Sequence, residues 1–151
     1  MRQGGRTPWS WAVMAALSLL PFLVGQGCPS PVVEGEDTPE GVQDVTPLEA
    51  AALIESHQGD ADFVILDVRS IEEYSAGHLE GAVSLCVLCQ DPDFLEAATS
   101  IGKSKTYLVY CRTGRRSVTA VTIMVENGFD NLYNMTGGIT QWQSDGLPVV
   151  Q

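Results

Sequence analysis

Basic side chains are scarce in this sequence, and their scarcity excludes several functions. Only eight Lys and Arg residues accompany 19 Asp and Glu residues, so the formal charge at pH 7 is −11. A chain of this sign is repelled by phosphate backbones and anionic lipid headgroups, which excludes nucleic acid as a general partner. Histidine is scarcer still: His57 and His78 are the two present, and neither lies in a context that suggests the partner of a cysteine protease.

Repeats and long apolar runs are also missing. No internal repeat is visible, and the apolar run at residues 11–24 is short for a membrane-spanning helix. The 151 residues give room for one domain with a leader or a tail. A hydrophobic fraction of 44% with 18% charged residues is typical of a folded globular domain and not of a disordered chain.

Residues 1–28 predict an export signal. Arg2 and Arg6 precede the uncharged run at 11–24, a combination typical of a secretory signal sequence. The run leads into VGQGC, which resembles the lipobox of bacterial lipoproteins, with Gly25 in place of the usual leucine. The resemblance implies that Cys28 is lipidated and becomes the new N-terminus, and an uncleaved N-terminal anchor is the alternative. In either case we expect the protein on the periplasmic side of a bacterial membrane, attached through its N-terminus.

Residues 29–44 are predicted to form an acidic, flexible linker, and residues 45–151 the folded domain. The linker sequence PSPVVEGEDTPEGVQD contains prolines, glycines and five acidic side chains, with little apolar periodicity. Removal of the leader would leave six of the eight basic residues. Half of those six lie in one short motif of the domain, CRTGRRS at residues 111–117.

Helix and strand patterns alternate through the domain. Capping boxes that begin at Thr46 and Ser70 predict two helix starts, the first of them running to about Ser56. Apolar runs predict strands at residues 62–66, 82–85, 106–110 and 131–135. Further helices are predicted at 92–98, 117–127 and 139–144. Strands separated by helices indicate an α/β fold with a central parallel sheet and helices on both faces.

Several polar and thiol side chains fall where predicted strands end. Asp67 and Arg69 follow the first predicted strand, Cys86 follows the second, and Cys111 follows the third. The carboxyl ends of parallel strands form one edge of the sheet, and the functional site of such folds usually lies there. We therefore expect these residues to lie along the functional edge.

The motif at residues 111–117 predicts a reactive cysteine. Cys111 lies in a tight turn between a strand and a helix, where backbone N–H groups and the helix dipole provide positive potential. Arg112, Arg115 and Arg116 add positive charge, and Gly114 allows the turn to curl. These effects favour a thiolate, the reactive form of cysteine. A structural cysteine beside a solvated basic run is the alternative interpretation.

This motif resembles the active loop of the single-domain rhodaneses, the thiosulfate-type sulfurtransferases. The likeness covers the domain in four segments, in the order found in that family: DVTPLEAAALI, LDVRSIEEYSAGHLEGAVSL, YLVYCRTGRRS and NMTGGITQWQSDGLPV. It implies a three-layer rhodanese-like domain that needs no cofactor. In that family the loop cysteine accepts a sulfane sulfur as a persulfide and passes it to a nucleophilic acceptor such as a thiol or cyanide.

The resemblance also implies roles for individual residues. Cys111 matches the nucleophile, and the backbone N–H groups of its loop would surround the outer sulfur of the persulfide. That loop consists of Arg112, Thr113, Gly114, Arg115 and Arg116. Its arginines would attract a small anionic sulfur donor, with Arg116 turned towards the sulfur and Arg112 towards solvent.

Other matched residues are expected to support the fold. Asp67 and Arg69 match the DVR element of the family, and a structural salt bridge, for instance between Arg69 and Glu73, is the alternative to a catalytic role. The Gly137-Gly138 pair and Trp142 match a motif interpreted as packing. His78 is interpreted as a hydrogen-bonded turn residue and not as a base.

Two other functions compete with sulfur transfer. The related phosphatases have a loop of cysteine, five residues and then arginine, whereas the sixth residue after Cys111 is Ser117. The shorter loop suits one sulfur atom better than a phosphoryl group. A non-catalytic binding module with a rhodanese-like fold is the second alternative, although such modules lack the cysteine that this chain keeps.

The CVLC segment departs from the family pattern. Zinc is not expected, because Cys86 and Cys89 supply only two ligands while Cys28 and Cys111 have other predicted roles. A structural disulfide suits an oxidising compartment. A thiol relay that accepts sulfur from Cys111, or that resolves its persulfide, is the alternative.

Overall fold

A computed structural model describes residues 38–89 and 93–151 of the chain. The predicted leader, with Cys28, and most of the predicted linker lie outside these residues. Ten elements follow one another: β1 (Val42–Val45), α1 (Pro47–Ser56), β2 (Phe63–Asp67), α2 (Ile71–Ala76), β3 (Val83–Ser84), α3 (Phe94–Ile101), β4 (Thr106–Tyr110), α4 (Arg115–Glu126), β5 (Asn131–Met135) and α5 (Gly138–Ser144). Among the described residues, no helix has the length and apolar character needed to cross a bilayer.

The strands form one parallel sheet in the order β1-β5-β4-β2-β3. The strand that precedes Cys111, β4, is the central one and pairs with β2 on one side and β5 on the other. Its last four residues are fully buried, as expected for a strand covered on both faces. The predicted α/β fold with a parallel sheet is therefore confirmed.

Helices cover both faces of the sheet and close two hydrophobic cores. On one face Tyr107 and Val109 of β4 pack with side chains of α3 and α4, and Cys111 belongs to the same cluster. On the other face Leu108 and Tyr110 pack with Ala50 of α1 and with Ile139 and Trp142 of α5. Adjacent residues of β4 thus pack into opposite cores, because the side chains of a strand alternate in direction. This arrangement has the three predicted layers.

Both predicted capping boxes are confirmed. The Glu49 N–H donates to Thr46 Oγ1 (3.4 Å), and the Thr46 N–H donates to Glu49 Oε2 (2.8 Å). The Ser70 and Glu73 groups make the same reciprocal pair at 3.4 and 3.3 Å. Hydrogen bonds from Thr46 lower the pKa of Glu49. These contacts satisfy N–H groups that a helix start would otherwise leave open, so α1 and α2 begin where the sequence predicts.

The predicted linker is wrong at its C-terminal end. Its last three residues belong to β1, which pairs with β5 from Val42 to Val45 and forms one edge of the sheet. The side chain of Asn134 on β5 also donates to Asp44 Oδ1 (2.7 Å). An edge strand buries little of its side chains, and this one is exposed or half-buried throughout. Because β1 is held mainly by backbone pairing, its sequence VQDV contains no apolar run, and the hydrophobic pattern of the sequence did not predict it.

Several other element boundaries differ from the predictions by one to three residues, and two of these differences lie at the functional edge. The helix α4 begins at Arg115, two residues earlier than predicted, so Arg115 and Arg116 form its first turn. The strand β3 spans only Val83–Ser84, since only these residues pair with β2. The first difference matters for the site, because it shortens the loop between Cys111 and α4.

Candidate active site

Cys111 is the first residue after the central strand, at the carboxyl edge of the sheet. Its side chain is 1% exposed and packs in the core between the sheet and α4. Beside it lie the end of β2, where the Val68 N–H donates to Tyr110 O (3.0 Å), and the turn after β5. Within the described residues Cys111 is the free cysteine of the chain. The fold therefore fixes this thiol rigidly at the predicted functional edge.

The loop after Cys111 curls so that a backbone donor faces its sulfur. The Gly114 N–H donates to Cys111 Sγ at 3.1 Å. Gly114 has a φ of +102°, in the left-handed region that favours glycine, and it is the N-cap of α4. Ser117 Oγ donates to Gly114 O (2.8 Å) and holds the turn closed. The predicted curl of the loop is therefore present, and a backbone N–H directed at a sulfur is the kind of donor that stabilises negative charge on it.

The first residues of α5 hydrogen-bond to the same loop. The Ile139 N–H donates to Cys111 O (2.9 Å), and the Thr140 N–H donates to Arg112 O (3.1 Å). A Cβ atom on Gly138 would lie 2.5 Å from Cys111 O and 2.6 Å from Arg112 O, so only glycine fits there. Gly138 was predicted to serve packing alone, and its direct contact with the loop was not predicted. Two adjacent glycines after a strand were the available signal.

Arg116 is held by the carboxylate of Glu73, which the sequence suggested as a helix cap and as a partner of Arg69 instead. Its guanidinium makes two hydrogen bonds to Glu73 of α2, Nη1 to Oε2 at 2.6 Å and Nη2 to Oε1 at 2.8 Å. The bonds from Arg116 lower the pKa of Glu73 to about 2. They also raise the pKa of Arg116, to which the charge of Cys111 adds a smaller contribution. Arg116 thus lies near the thiol, but its donors are directed at Glu73 and not at the sulfur as expected.

A cleft of about 420 Å³ opens beside the loop. It is lined by Leu88, Arg112, Thr113, Arg115, Arg116 and Thr119. Arg112 and Thr113 are exposed, which agrees with the prediction that Arg112 faces solvent. The three arginines of the motif therefore meet at one concave surface, and such a surface suits a small anion.

Asp67 and Arg69 form a buried ion pair. Arg69 Nη2 lies 2.6 Å from Asp67 Oδ2, and Arg69 Nε donates to Asp67 Oδ1 at 2.9 Å. Arg69 Nη2 also donates to Gly77 O (2.7 Å), which links the segment after β2 to the C-cap residue of α2. The salt bridge suggested between Arg69 and Glu73 is wrong, because Glu73 pairs with Arg116 instead. These contacts describe a structural pair that braces the edge of the sheet.

The remaining residues singled out in the sequence have structural contacts. His78 hydrogen-bonds through Nδ1 to Tyr74 O (3.1 Å) and stacks on the Tyr74 ring, as expected of a turn residue. Trp142 donates through Nε1 to Pro148 O (2.8 Å). A disulfide joins Cys86 and Cys89, whose Cα atoms are 5.3 Å apart, in the loop after β3.

Comparison with known proteins agrees with this geometry. Residues 46–145 match the family model described as "Rhodanese-like domain". The chain belongs to the rhodanese-like domain family. This rhodanese-like domain is 30% identical over 105 residues to a putative sulfurtransferase of Bacillus subtilis, a match that covers 70% of this chain and 97% of that one.

Two further relatives show the same likeness. Thiosulfate sulfurtransferase 16, chloroplastic, of Arabidopsis thaliana is 37% identical over 91 residues, which cover 55% of this chain and 76% of that one. The solution structure of a rhodanese-like domain from Anabaena sp. superposes with a TM-score of 0.61 at 27% identity, covering 71% of this chain and 77% of that one. A sulfurtransferase-like role follows from the domain and from relatives that carry that name.

Proposed function

We propose that this rhodanese-like domain moves a sulfane sulfur from a small anionic donor, such as thiosulfate, to a thiol or cyanide acceptor. The observation that carries the proposal is the Gly114 N–H directed at Cys111 Sγ at 3.1 Å. A loop that turns a backbone donor onto a buried thiol, beside three arginines, is suited to a charged sulfur and serves no packing purpose. A binding module without catalysis would not need this arrangement.

The reaction needs two displacements at sulfur. The Cys111 thiolate attacks the sulfane sulfur of thiosulfate, the S–S bond of the donor breaks, and sulfite leaves with the electron pair. The acceptor, cyanide or a thiolate, then attacks the outer sulfur of the Cys111 persulfide, and the Cys111 thiolate leaves. Neither displacement needs a general base when the thiolate is already formed. The arginines of the cleft attract the donor and stabilise the departing sulfite.

Mass spectrometry of the protein after treatment with thiosulfate tests this proposal. We expect the mass of one added sulfur on the peptide that contains Cys111, and we expect cyanide to remove it. Labelling of the sulfur on another cysteine, or no added mass at all, would contradict the assignment. The measurement separates persulfide formation from every later step of the reaction.

The two arginine contacts predict different effects on donor binding. Arg116→Ala removes one positive charge from the cleft and leaves the Glu73 carboxylate without its ion-pair partner, so we expect the KM for thiosulfate to rise about tenfold. Arg112→Ala removes only an exposed charge that solvent and salt screen. We expect its KM for thiosulfate to rise about threefold at low salt, and we expect this difference from the wild type to become smaller as the salt concentration increases. Steady-state kinetics at several salt concentrations measure both effects.

Glu73→Gln is the matched control for the two arginine variants. It removes the negative charge while keeping the length of the side chain, so the KM for thiosulfate should not rise. Because the pKa of Glu73 is lowered to about 2 from an ordinary value of 4.5, the carboxylate stays charged above pH 5 and its pairing is lost only as pH falls towards 2. The wild-type profile above pH 5 should therefore carry no inflection from Glu73. A tenfold higher KM in Glu73→Gln would contradict this assignment of charge.

We further propose that the domain is exported and attached to a membrane through lipid on Cys28. The support is the basic leader and VGQGC at residues 24–28, which lie outside the described part of the chain. Labelled fatty acid should enter the wild-type protein in a lipoprotein-forming bacterial host, and Cys28→Ala should abolish this labelling. Label retained in the Cys28→Ala protein would reject lipidation at this residue.

A further inference from the structure

The disulfide between Cys86 and Cys89 has little value as a cross-link. The two residues are three apart in sequence and both lie in the loop that follows β3. A disulfide stabilises a fold chiefly when it closes a long loop of the unfolded chain. This ring closes only four residues and joins no two elements of the fold. Its stabilising effect is therefore small, which calls for another explanation of its presence.

The disulfide is open to attack from outside. Cys89 is exposed and Cys86 is half-buried. Both line a groove of about 270 Å³ together with Ser70, Ile71, Glu72, Ser84 and Leu85. Thiol–disulfide exchange requires a thiolate to reach one sulfur of the bond, so access decides which disulfides react. Here the more accessible cysteine is Cys89.

Exposed apolar side chains flank the same disulfide. Ile71, which lines the groove, is 58% exposed, and Leu88, which lies inside the four-residue ring, is 67% exposed. They are two of the five large apolar side chains that are exposed in the described part of the chain. Exposed apolar side chains that gather around a reactive group indicate a surface for contact with another protein.

We propose that Cys86–Cys89 is a thiol–disulfide exchange site, reduced by a dithiol protein whose apolar surface docks on Ile71 and Leu88. A thiolate of the partner attacks the Cys89 sulfur and forms a mixed disulfide, while Cys86 leaves as a thiolate and takes up a proton. The second thiol of the partner then attacks the partner's own sulfur in the mixed disulfide and releases Cys89. The partner's dithiol is oxidised to a disulfide, and Cys86 and Cys89 are reduced to thiols.

The exchange site borders the cleft of the proposed sulfur transfer. Leu88 lines that cleft together with the arginines of the loop. Its neighbour Val87 donates through N–H to Val68 O (3.3 Å) and packs against the core cluster that contains Cys111. Reduction opens the ring and frees one wall of the cleft. The proposal itself rests on the disulfide and does not depend on whether Cys111 carries sulfur.

Trapping of the mixed disulfide tests the exchange. The full chain with Cys111→Ala, which removes the competing thiol, is mixed with a thioredoxin variant that keeps only its attacking cysteine. We expect a covalent 1:1 adduct, and peptide mass mapping should place the bond at Cys89. An intact Cys86–Cys89 disulfide with no adduct would overturn the proposal and leave the ring as a structural cross-link. An adduct at Cys28 alone would have the same consequence.

Comparison of two reductants tests the docking surface. Replacement of Ile71 and Leu88 by serine should slow the reduction of the disulfide by wild-type thioredoxin about tenfold, because the contact would then partly bury two fewer apolar side chains. The same replacement should change the rate of reduction by dithiothreitol less than about twofold, since this small reductant needs no docking surface. Leu48→Ser is the matched control, since Leu48 is 62% exposed but lies on α1, and it should leave both rates unchanged. Equal rates for all variants with thioredoxin would reject Ile71 and Leu88 as the docking surface.

Discussion

The Cys111→Ala protein is expected to form no thiocyanate from thiosulfate and cyanide. Every other part of the proposed mechanism prepares or uses the sulfur of this residue, so its loss removes the step itself. We expect kcat/KM to fall by about a thousandfold or more, to the rate of the uncatalysed background. A discontinuous assay for thiocyanate on the purified protein measures the loss.

Controls make the result specific to chemistry. Because the thiol is packed in the core like a small apolar side chain, Cys111→Ala should fold and melt cooperatively, with a loss of about 1 kcal/mol. Near-wild-type thiocyanate formation by this variant would disprove the role of Cys111. The same preparations are assayed with an aryl phosphate, where turnover that depends on Cys111 would favour the phosphatase alternative over sulfur transfer.

Gly138→Ala is expected to damage the site without touching the nucleophile. Its Cβ atom would lie 2.5 Å from Cys111 O, and its φ of +58° is costly for alanine. The backbone of the loop or of α5 must shift, and we expect a loss of about 3 kcal/mol in the free energy of unfolding. The shift also displaces Cys111 and its loop donors, so kcat/KM should fall about a hundredfold in the fraction that remains folded.

Gly128→Ala separates steric conflict from backbone strain. Gly128 has a φ of +80°, similar in kind to that of Gly138, but a Cβ atom there meets nothing within 4 Å. This variant should lose only about 1 kcal/mol of stability and keep its activity. Chemical denaturation and the thiocyanate assay measure both proteins. If the two variants were equally stable and equally active, the close approach of Gly138 to the loop would have no importance.

Local signals were sufficient for most of the fold. The capping boxes at Thr46 and Ser70 join residues within one helical turn, so the sequence pattern alone predicts their contacts. The strand before Cys111 is buried on both faces, and its continuous apolar run follows directly from that burial. The curled loop after Cys111 was predictable for the same reason, because the thiol, the glycine and the cations are all contained in one turn.

Contacts between distant segments were beyond the reach of the sequence. Glu73 satisfies its local capping role completely, and nothing near it shows that it also pairs with Arg116, 43 residues later. Gly138 has a local reason to be glycine, its positive φ, which conceals the second reason, the approach of α5 to the loop. The strand β1 forms only because β5 offers it a free edge. Each of these features depends on which distant segments of the chain the fold brings into contact.

The burial of Cys111 has a consequence for the regiochemistry of a persulfide formed there. Because Cys111 is 1% exposed, the inner sulfur of such a persulfide would be enclosed by the core, and an acceptor would reach it less readily than the outer sulfur. Attack by a thiol on the inner sulfur would give a mixed disulfide at Cys111 and release hydrogen sulfide, so the sulfur atom would not reach the acceptor. Attack on the outer sulfur regenerates the thiolate and delivers the atom. If the domain forms a persulfide, the packing of Cys111 against the strand and α4 would therefore select between two products of the same acceptor thiol.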